Sequence, residues 1–107
     1  MRTFLFAFGI VGVLALLGAG DAHAEAEFDI IAGGGTITVK PKAGWHINQD
    51  YPWKYTVPGR EPIRRDKFTF TDVEAVVRDV PVGSGTLKGA VCSGDQCKSF
   101  QVNVIVH

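Results

Sequence analysis

The chain has 107 residues, with 11 basic and 11 acidic side chains and a formal net charge of zero. A balanced charge of this kind gives no support for binding to nucleic acid or to an anionic surface. The length fits one small domain with a modest hydrophobic core, in which a single disulfide can matter to stability.

The N-terminal segment predicts a cleaved export signal. Arg2 gives it a basic start, residues 4–17 are apolar, and no further charge occurs before Asp21. The sequence Ala22-His23-Ala24 then matches an A-x-A cleavage site. We therefore predict a signal peptide of residues 1–24. A retained membrane anchor is the less favoured alternative, because the apolar core is short.

Removal of the leader would leave residues 25–107 as a single domain, periplasmic or secreted. The leader carries one charge of each sign, so the net charge of the remainder stays at zero. Export would place Cys92 and Cys97 in an oxidising compartment, where disulfides persist. We expect no nucleic-acid partner and no membrane association after cleavage.

The rest of the chain alternates apolar and polar residues in short runs, separated by glycine, proline and asparagine. Such a pattern is typical of β-strands joined by turns. The predicted strands are residues 28–32, 36–40, 45–47, 53–57, 68–70, 72–80, 85–91 and 100–106, with a turn at residues 81–85. About seven short strands of this kind predict an all-β fold, an antiparallel β-sandwich.

Residues 58–67 break this pattern with two prolines, a glycine and six charges. We interpret the segment as a solvated loop or an irregular edge strand. The alternative interpretation is a cap or docking loop. Arg64 and Arg65 form too short a basic cluster to indicate nucleic acid.

The two cysteines of the chain lie close together, as Cys92 and Cys97, with a strand on either side. We predict a hairpin tip with a four-residue Ser-Gly-Asp-Gln loop, closed by a disulfide between opposed strand residues. Period-two alternation places Leu87 and Val91 on one face and Cys92 on the other. The same alternation puts Cys97 outward as well, so both sulfurs are expected on the outer face.

Three roles remain open for this pair on spacing alone. A bridge that closes about six residues stabilises by roughly 2 kcal/mol, at the low end of the usual range, and a structural staple is the most common role. A short exposed bridge also exchanges readily with thiols, which favours a redox role. A metal site is the weakest option: His46 or His107 would have to join the two sulfurs, and His46 is better explained as a surface residue.

Two motifs carry a resemblance to a known family. Lys42-Ala43-Gly44-Trp45-His46-Ile47-Asn48 is followed by Leu87-Lys88-Gly89-Ala90-Val91-Cys92-Ser93-Gly94-Asp95-Gln96-Cys97. In order and spacing these resemble the N-terminal periplasmic domain of the thiol:disulfide interchange protein DsbD. The resemblance implies an immunoglobulin-like fold and a disulfide that cycles while passing electrons to exported partners. It also implies that Cys97 forms the mixed disulfide and that Cys92 resolves it.

The chain departs from that family in two ways. It ends at His107, whereas DsbD continues into a membrane domain and a thioredoxin-like domain, so we expect the electron donor to be a separate protein. The family shields its cysteines with a loop that bears aromatic and acidic groups. The matching residues here, 59–67, include Glu61 but no aromatic residue, and a basic loop could lower the pKa of a nearby thiol.

Together these observations predict an exported thiol–disulfide exchange module with Cys92 and Cys97 as its reacting residues. A protein-disulfide reductase activity is possible, and no cofactor or metal is expected. The expected partners are exported thiol or disulfide proteins, a thioredoxin-like donor or a disulfide-isomerase-like acceptor. The alternative is a non-enzymatic exported binding domain with a structural disulfide, which would bind through its aromatic residues 45–55 or through a sheet edge.

Overall fold

The computed structural model describes the backbone of Ala22–Ala24 and all of residues 27–107. Their regular structure consists of ten strands and one short 3-10 helix, Arg65–Lys67. The strands are β1 (Ala22–Ala24), β2 (Phe28–Gly33), β3 (Thr36–Pro41), β4 (His46–Ile47), β5 (Lys54–Thr56), β6 (Ile63–Arg64), β7 (Phe68–Thr71), β8 (Glu74–Arg78), β9 (Gly83–Ser93) and β10 (Gln96–Val106). No helix in these residues has the length and apolar character needed to cross a membrane.

Two antiparallel sheets form a sandwich. The first, which we call the disulfide sheet, has the order β10-β9-β5-β6, with β4 also paired to β9. The second has the order β1-β2-β3-β8-β7. Without β1, these are the G-F-C-C′ and A-B-E-D orders of an immunoglobulin-like domain. The predicted immunoglobulin-like sandwich is therefore confirmed. It has two strand segments more than the eight predicted, because β1 and β6 add short edge pieces.

The predicted leader lies outside the described residues, apart from β1. This strand pairs with β2, with Ala22 opposite Ile31 and Ala24 opposite Asp29. Since β1 lies at the end of its sheet, cleavage after Ala24 would leave the A-B-E-D order intact. Cleavage itself stays a prediction.

The core lies between the sheets, and its largest side chains come from β5 and the residue before it. Trp53 is 1% exposed and Tyr55 is 0% exposed. The ring of Trp53 lies against Gly89 and the ring of Tyr55 against Gly85, where any Cβ would overlap ring atoms. Glycine in β9 therefore lets two large rings approach the strand backbone. The indole N–H of Trp53 donates a hydrogen bond to the Asn48 carbonyl at 2.8 Å.

One predicted turn is shorter in the structure. The sequence predicts a turn through residues 81–85 and a strand from Gly85, but β9 already begins at Gly83. Glycine usually signals a turn, whereas Gly83 and Gly85 both lie within this strand, and at Gly85 the ring of Tyr55 occupies the space of a side chain. As a result β9 and β10 form a hairpin of 11 residue pairs, from Gly83 opposite Val106 to the tip.

Two other boundaries differ from the prediction or refine it. The strand predicted through Val80 ends at Arg78, because Asp79 takes a left-handed φ of 59°. The Val80 N–H then donates a hydrogen bond to the Gly35 carbonyl at 3.0 Å. The predicted glycine turn between β2 and β3 is confirmed as a two-residue turn in which Gly34 and Gly35 have φ of 63° and 77°. Positive φ at both residues is typical of a type I′ hairpin turn.

Residues 58–67 form both a loop and a short edge strand, as the sequence predicted. The loop begins with a turn in which the Arg60 N–H donates to the Val57 carbonyl at 3.1 Å. The two residues of β6 then pair with β5, Ile63 opposite Tyr55 and Arg64 opposite Lys54. The 3-10 helix that follows leads directly into β7.

Candidate functional site

The disulfide lies at the tip of the long hairpin, in the register that the alternation predicts. Cys92 is directly opposite Cys97, with an S–S distance of 2.01 Å and a Cα–Cα distance of 4.0 Å. Ser93 pairs with Gln96, so the loop has two residues and is tighter than the predicted four. Gly94 supplies the φ of 58° that this short loop requires.

The two cysteines share a face of the sheet but differ in exposure. The pairing of β9 with β10 continues without a bulge, so Cys92 and Cys97 both lie on the outer face, opposite the core. Cys97 is exposed, whereas Cys92 is 6% exposed. The prediction that both cysteines lie on the outer face is therefore confirmed. Of the two, only Cys97 is well exposed to solvent. An incoming thiol can approach this disulfide from the Cys97 side.

Cys92 has a second neighbour that the sequence did not identify. His46 of β4 lies directly opposite it, so His46, Cys92 and Cys97 form one row across three strands. The His46 side chain is exposed. Opposed residues in antiparallel strands have Cβ atoms about 5 Å apart, so His46 and Cys92 are neighbours on the outer face. The sequence predicted a surface histidine here, which the structure confirms, but cross-strand register cannot be predicted from one strand alone.

The metal alternative gains no support from this geometry. His107 follows the far end of β10, ten residues from Cys97, and a strand of that length spans about 33 Å. His107 therefore cannot join the cysteines in one site. Within residues 27–107 no three His, Cys, Asp or Glu side chains are grouped so that they could hold a metal ion.

The basic loop does not cover the cysteines. Its closest paired residue on this sheet, Arg64, shares a row with Lys88, four positions along β9 from Cys92. That separation is about 13 Å along the strand and about 10 Å across it. It exceeds the screening length of about 8–10 Å at physiological salt, so the charge of Arg64 acts weakly on a thiol at Cys92. Arg64 therefore gives no support to the expectation that this loop lowers a thiol pKa.

An ion pair joins the hairpin to the opposite sheet beside Cys97. Lys98 Nζ lies 2.7 Å from Glu27 Oε2, and this hydrogen bond lowers the pKa of Glu27 below its ordinary value. Phe28 and Phe100 stack next to it, with ring centroids 4.1 Å apart. The charge of Lys98 is thereby partly neutralised by Glu27, and the pair adds one contact between the strand that carries Cys97 and the residue before β2.

The aromatic surface proposed for a binding domain is smaller than the sequence suggests. Trp53 and Tyr55 are fully buried, and Trp45 and Tyr51 are partly buried against the core. Alternation along β5 predicted the inward direction of Trp53 and Tyr55 correctly, and that direction removes them from any contact surface. A sheet edge remains available, because β10 is the last strand of its sheet.

The sequence reasoning also missed a row of cations on the disulfide sheet. Lys88 lies opposite Lys54, and Lys54 lies opposite Arg64. Alternation around Leu87 and Tyr55 would have placed each cation outward, but only the strand order shows that the three are adjacent. We refer to Lys88, Lys54 and Arg64 as the basic row.

No protein-family model, curated protein sequence or solved structure matches the chain. The resemblance to the DsbD N-terminal domain therefore depends on the residues of the two motifs alone. It stays a prediction about family, while the sandwich and the disulfide stand on the structure.

Proposed function

We propose that this protein exchanges disulfides with other proteins through Cys92 and Cys97. The observation that carries the proposal is the asymmetry of the bridge: Cys97 is exposed at the hairpin tip and Cys92 is buried beside it. Exchange needs one accessible sulfur to bond to the partner and a second sulfur close enough to displace it. This arrangement supplies both.

The reductive half of the exchange begins with the disulfide closed. A thiolate of a partner dithiol attacks Cys97 Sγ, a partner–Cys97 bond forms, the bond to Cys92 breaks, and Cys92 leaves as a thiolate. The partner's second thiolate then attacks the partner sulfur of the mixed disulfide and releases Cys97. Two electrons pass to this chain, and Cys92 and Cys97 take up two protons in place of those that the partner thiols lost.

The oxidative half runs in the opposite direction. The Cys97 thiolate attacks the disulfide of a second protein and forms a mixed disulfide, with one partner sulfur leaving as a thiolate. Cys92 then attacks Cys97 Sγ, closes the intramolecular bridge and releases the second partner sulfur. The acceptor gains the two electrons and two protons that this chain loses.

The fold supports repeated opening of the bridge because the hairpin has other means of holding its tip. Eleven residue pairs join β9 to β10, and the Lys98–Glu27 ion pair ties β10 to the opposite sheet. Closure of a ring of about six residues contributes only about 2 kcal/mol. The strands therefore have enough other contacts to remain paired when the bridge is reduced.

The same proposal accommodates the sequence resemblance. If the chain is exported, it would meet a thioredoxin-like donor and a disulfide-isomerase-like acceptor, as the resemblance to the DsbD domain implies. The competing role is a binding domain in which the disulfide is only structural. The burial of Trp53 and Tyr55 does not favour it, because these rings are not available to bind a partner. The difference between the two roles is chemical, so it can be measured directly.

Single-cysteine variants test the assigned roles. Purified Cys92→Ser protein, which keeps Cys97, is mixed with an oxidised thioredoxin-like protein, and mixed disulfides are counted on non-reducing gels. We expect this variant to form the mixed disulfide at least about tenfold faster than Cys97→Ser, because its thiol is exposed. In denaturant the two variants should react alike, which controls for differences unrelated to the fold.

Two outcomes would contradict the proposal. Equal rates of mixed-disulfide formation by folded Cys92→Ser and Cys97→Ser would show that the difference in exposure between the two cysteines does not govern the exchange. Failure of the reduced wild-type chain to transfer its electrons to any disulfide protein, while the small reagent dithionitrobenzoate still reacts, would leave the bridge as a structural element.

A further inference from the structure

We infer that the outer face of the disulfide sheet binds an acidic segment of the protein with which the disulfide is exchanged. This inference rests on the proposed function, because it identifies the chemistry of the partner that approaches Cys97. Its basis is the basic row, which lies on the same face as the disulfide.

The basic row places three cations side by side. Lys88, Lys54 and Arg64 occupy one line across β9, β5 and β6, each directly opposite the next. Like charges directly opposite one another on a sheet destabilise it. None of the three takes part in an ion pair with any described residue. An arrangement that costs stability and has no counterion among the described residues is suited to a counterion supplied from outside.

A shallow cleft lies at the β6 end of the basic row. Lys54, Arg64, Arg65 and Lys88 line it together with Tyr51, and its volume is about 340 Å³. No acidic side chain from the described part of the chain lines this cleft. Arg65 is positioned by a hydrogen bond of 2.7 Å from its Nε to the Gln49 carbonyl. The cleft therefore offers four cations and an aromatic side chain to an anionic group.

The charged side chains at the strand positions on the outer face of the disulfide sheet are all basic. The register of the five strands assigns their outward positions, and none of these carries Asp or Glu. Apart from the cations, most are Ser, Thr, Asn or Gln, and they present a flat polar surface. The nearest acidic residue in this hairpin is Asp95, which lies in the turn beyond the strands. Since the chain as a whole has no net charge, this face is locally basic.

The basic row lies close enough to Cys97 for one partner protein to contact both. Lys88 lies four residues along β9 from Cys92, which is about 13 Å. A standard protein contact covers roughly 800 Å² on each partner, a patch about 30 Å across. A protein whose sulfur bonds to Cys97 would therefore also cover the basic row. Acidic residues about 13 Å from its reactive cysteine would meet these cations and speed the encounter.

The position of the disulfide selects a protein as the occupant. Nucleic acid and anionic lipid would match the charge, but neither brings a thiol or disulfide to Cys97. Charge complementarity of this kind acts mainly on the association rate and depends on salt. It can therefore be tested separately from the redox chemistry.

The first experiment measures binding without any exchange. A cysteine-free peptide rich in Glu and Asp is titrated into the oxidised full chain, and backbone amide shifts are followed by NMR. We expect the largest shifts at Lys54, Arg64 and Lys88, and their loss in the Lys54→Glu/Lys88→Glu variant. The Arg60→Glu/Arg78→Glu variant carries the same change in charge on exposed residues outside the row, and it should bind like the wild type.

The second experiment links that surface to the disulfide. The reduced chain is mixed with two peptide disulfides of the same core sequence, one with flanking acidic residues and one with flanking basic residues. At low salt we expect the acidic peptide to react about tenfold faster, and we expect the ratio to approach one in Lys54→Glu/Lys88→Glu or at high salt. The rate with an uncharged disulfide reagent should stay the same in all variants.

The outcomes separate the two claims. Equal rates for the acidic and basic peptides, with no shifts on the basic row, would overturn the docking inference and leave the exchange function standing. Shifts on the basic row without reaction of either peptide would leave a binding face and overturn the exchange function. Binding of phosphatidylglycerol vesicles, lost in Lys54→Glu/Lys88→Glu, together with no peptide binding, would replace the acidic protein with a lipid surface and overturn the inference.

Discussion

The middle and the tip of strand β9 hold very different contacts. Gly85 and Gly89 receive the buried rings of Tyr55 and Trp53, which belong to the core between the sheets. At its tip, Cys92 is bridged to Cys97 on the opposite face of the same sheet. The middle of the strand therefore holds the core, while the one covalent cross-link closes only a tight turn. A bridge of this size contributes about 2 kcal/mol, and the core contacts of β9 do not depend on it.

Truncation of the central tryptophan should give the largest effect. Trp53→Ala removes a fully buried ring that lies within 6 Å of the Phe68, Phe70 and Phe100 rings. We expect a loss of about 3–5 kcal/mol in the free energy of unfolding, measured by chemical denaturation. Trp45→Ala is the matched control: Trp45 is only partly buried, so it should lose less than half as much. Equal losses would contradict the central position of Trp53.

Opening the disulfide should cost less than that. In the Cys92→Ala/Cys97→Ala variant we expect the free energy of unfolding to fall by about 2 kcal/mol, because the ring that the bridge closes is short. The far-UV circular dichroism spectrum should keep its β-sheet form, since 11 residue pairs still join β9 and β10. A variant that is unfolded at room temperature would contradict the comparison and assign a structural role to the bridge.

Removal of the buried hydroxyl of Tyr55 should change stability less than loss of the disulfide, and it should stabilise the protein. Its oxygen is buried without a hydrogen-bond partner among the described residues, and burial raises the pKa of this phenol. Tyr55→Phe removes the unpaired polar group and keeps the ring against Gly85, so we expect the protein to gain about 1 kcal/mol in stability. Thermal unfolding measures this gain. A loss of stability would mean that the hydroxyl has a partner, such as a buried water molecule.

The smallest effect is expected at the ion pair beside Cys97, and it should depend on pH. The hydrogen bond from Lys98 holds the pKa of Glu27 below its ordinary value of 4.5, so the pair stabilises the fold above that pH. Its contribution is lost as the pH falls through the lowered pKa. Glu27→Gln should therefore be less stable than the wild type at neutral pH and equally stable in strong acid.

The control for that change is Asp29→Asn. Asp29 faces Lys42 at 3.8 Å, a longer and more exposed pair than Lys98–Glu27, so its removal should change stability less at every pH. A difference between Glu27→Gln and the wild type that stays constant from neutral pH into acid would contradict the assigned role of the ion pair.

Much of the fold could be predicted from local pattern. Period-two alternation gave the inward direction of Ile37, Val39 and Tyr55, and all three are buried. It failed at the start of β9: glycines led to a predicted turn through residues 81–85, but the strand begins at Gly83, and Gly85 accommodates the ring of Tyr55 from another strand. Local sequence carries no information about which strand will supply that ring.

The candidate site likewise has features that could be predicted from local sequence and features that could not. The spacing of Cys92 and Cys97 and the strands around them predicted a cross-strand disulfide, which is confirmed. The burial of Cys92 and its pairing with His46 depend on which strand lies beside β9. The basic row likewise arises from strand order, because its members are 10 residues and 24 residues apart in the sequence. These features required the topology and could not be predicted from spacing.

The reduction potential of the Cys92–Cys97 pair distinguishes an exchanging disulfide from a structural one. Residues 25–107 are equilibrated against glutathione buffers, and the reduced fraction is measured by thiol labelling. A bridge worth about 2 kcal/mol to the fold lowers the potential by only about 40 mV relative to the unfolded chain. We expect a value in the range of known exchange proteins, about −120 to −270 mV. A value well below about −300 mV would contradict this expectation and identify the disulfide as a structural staple.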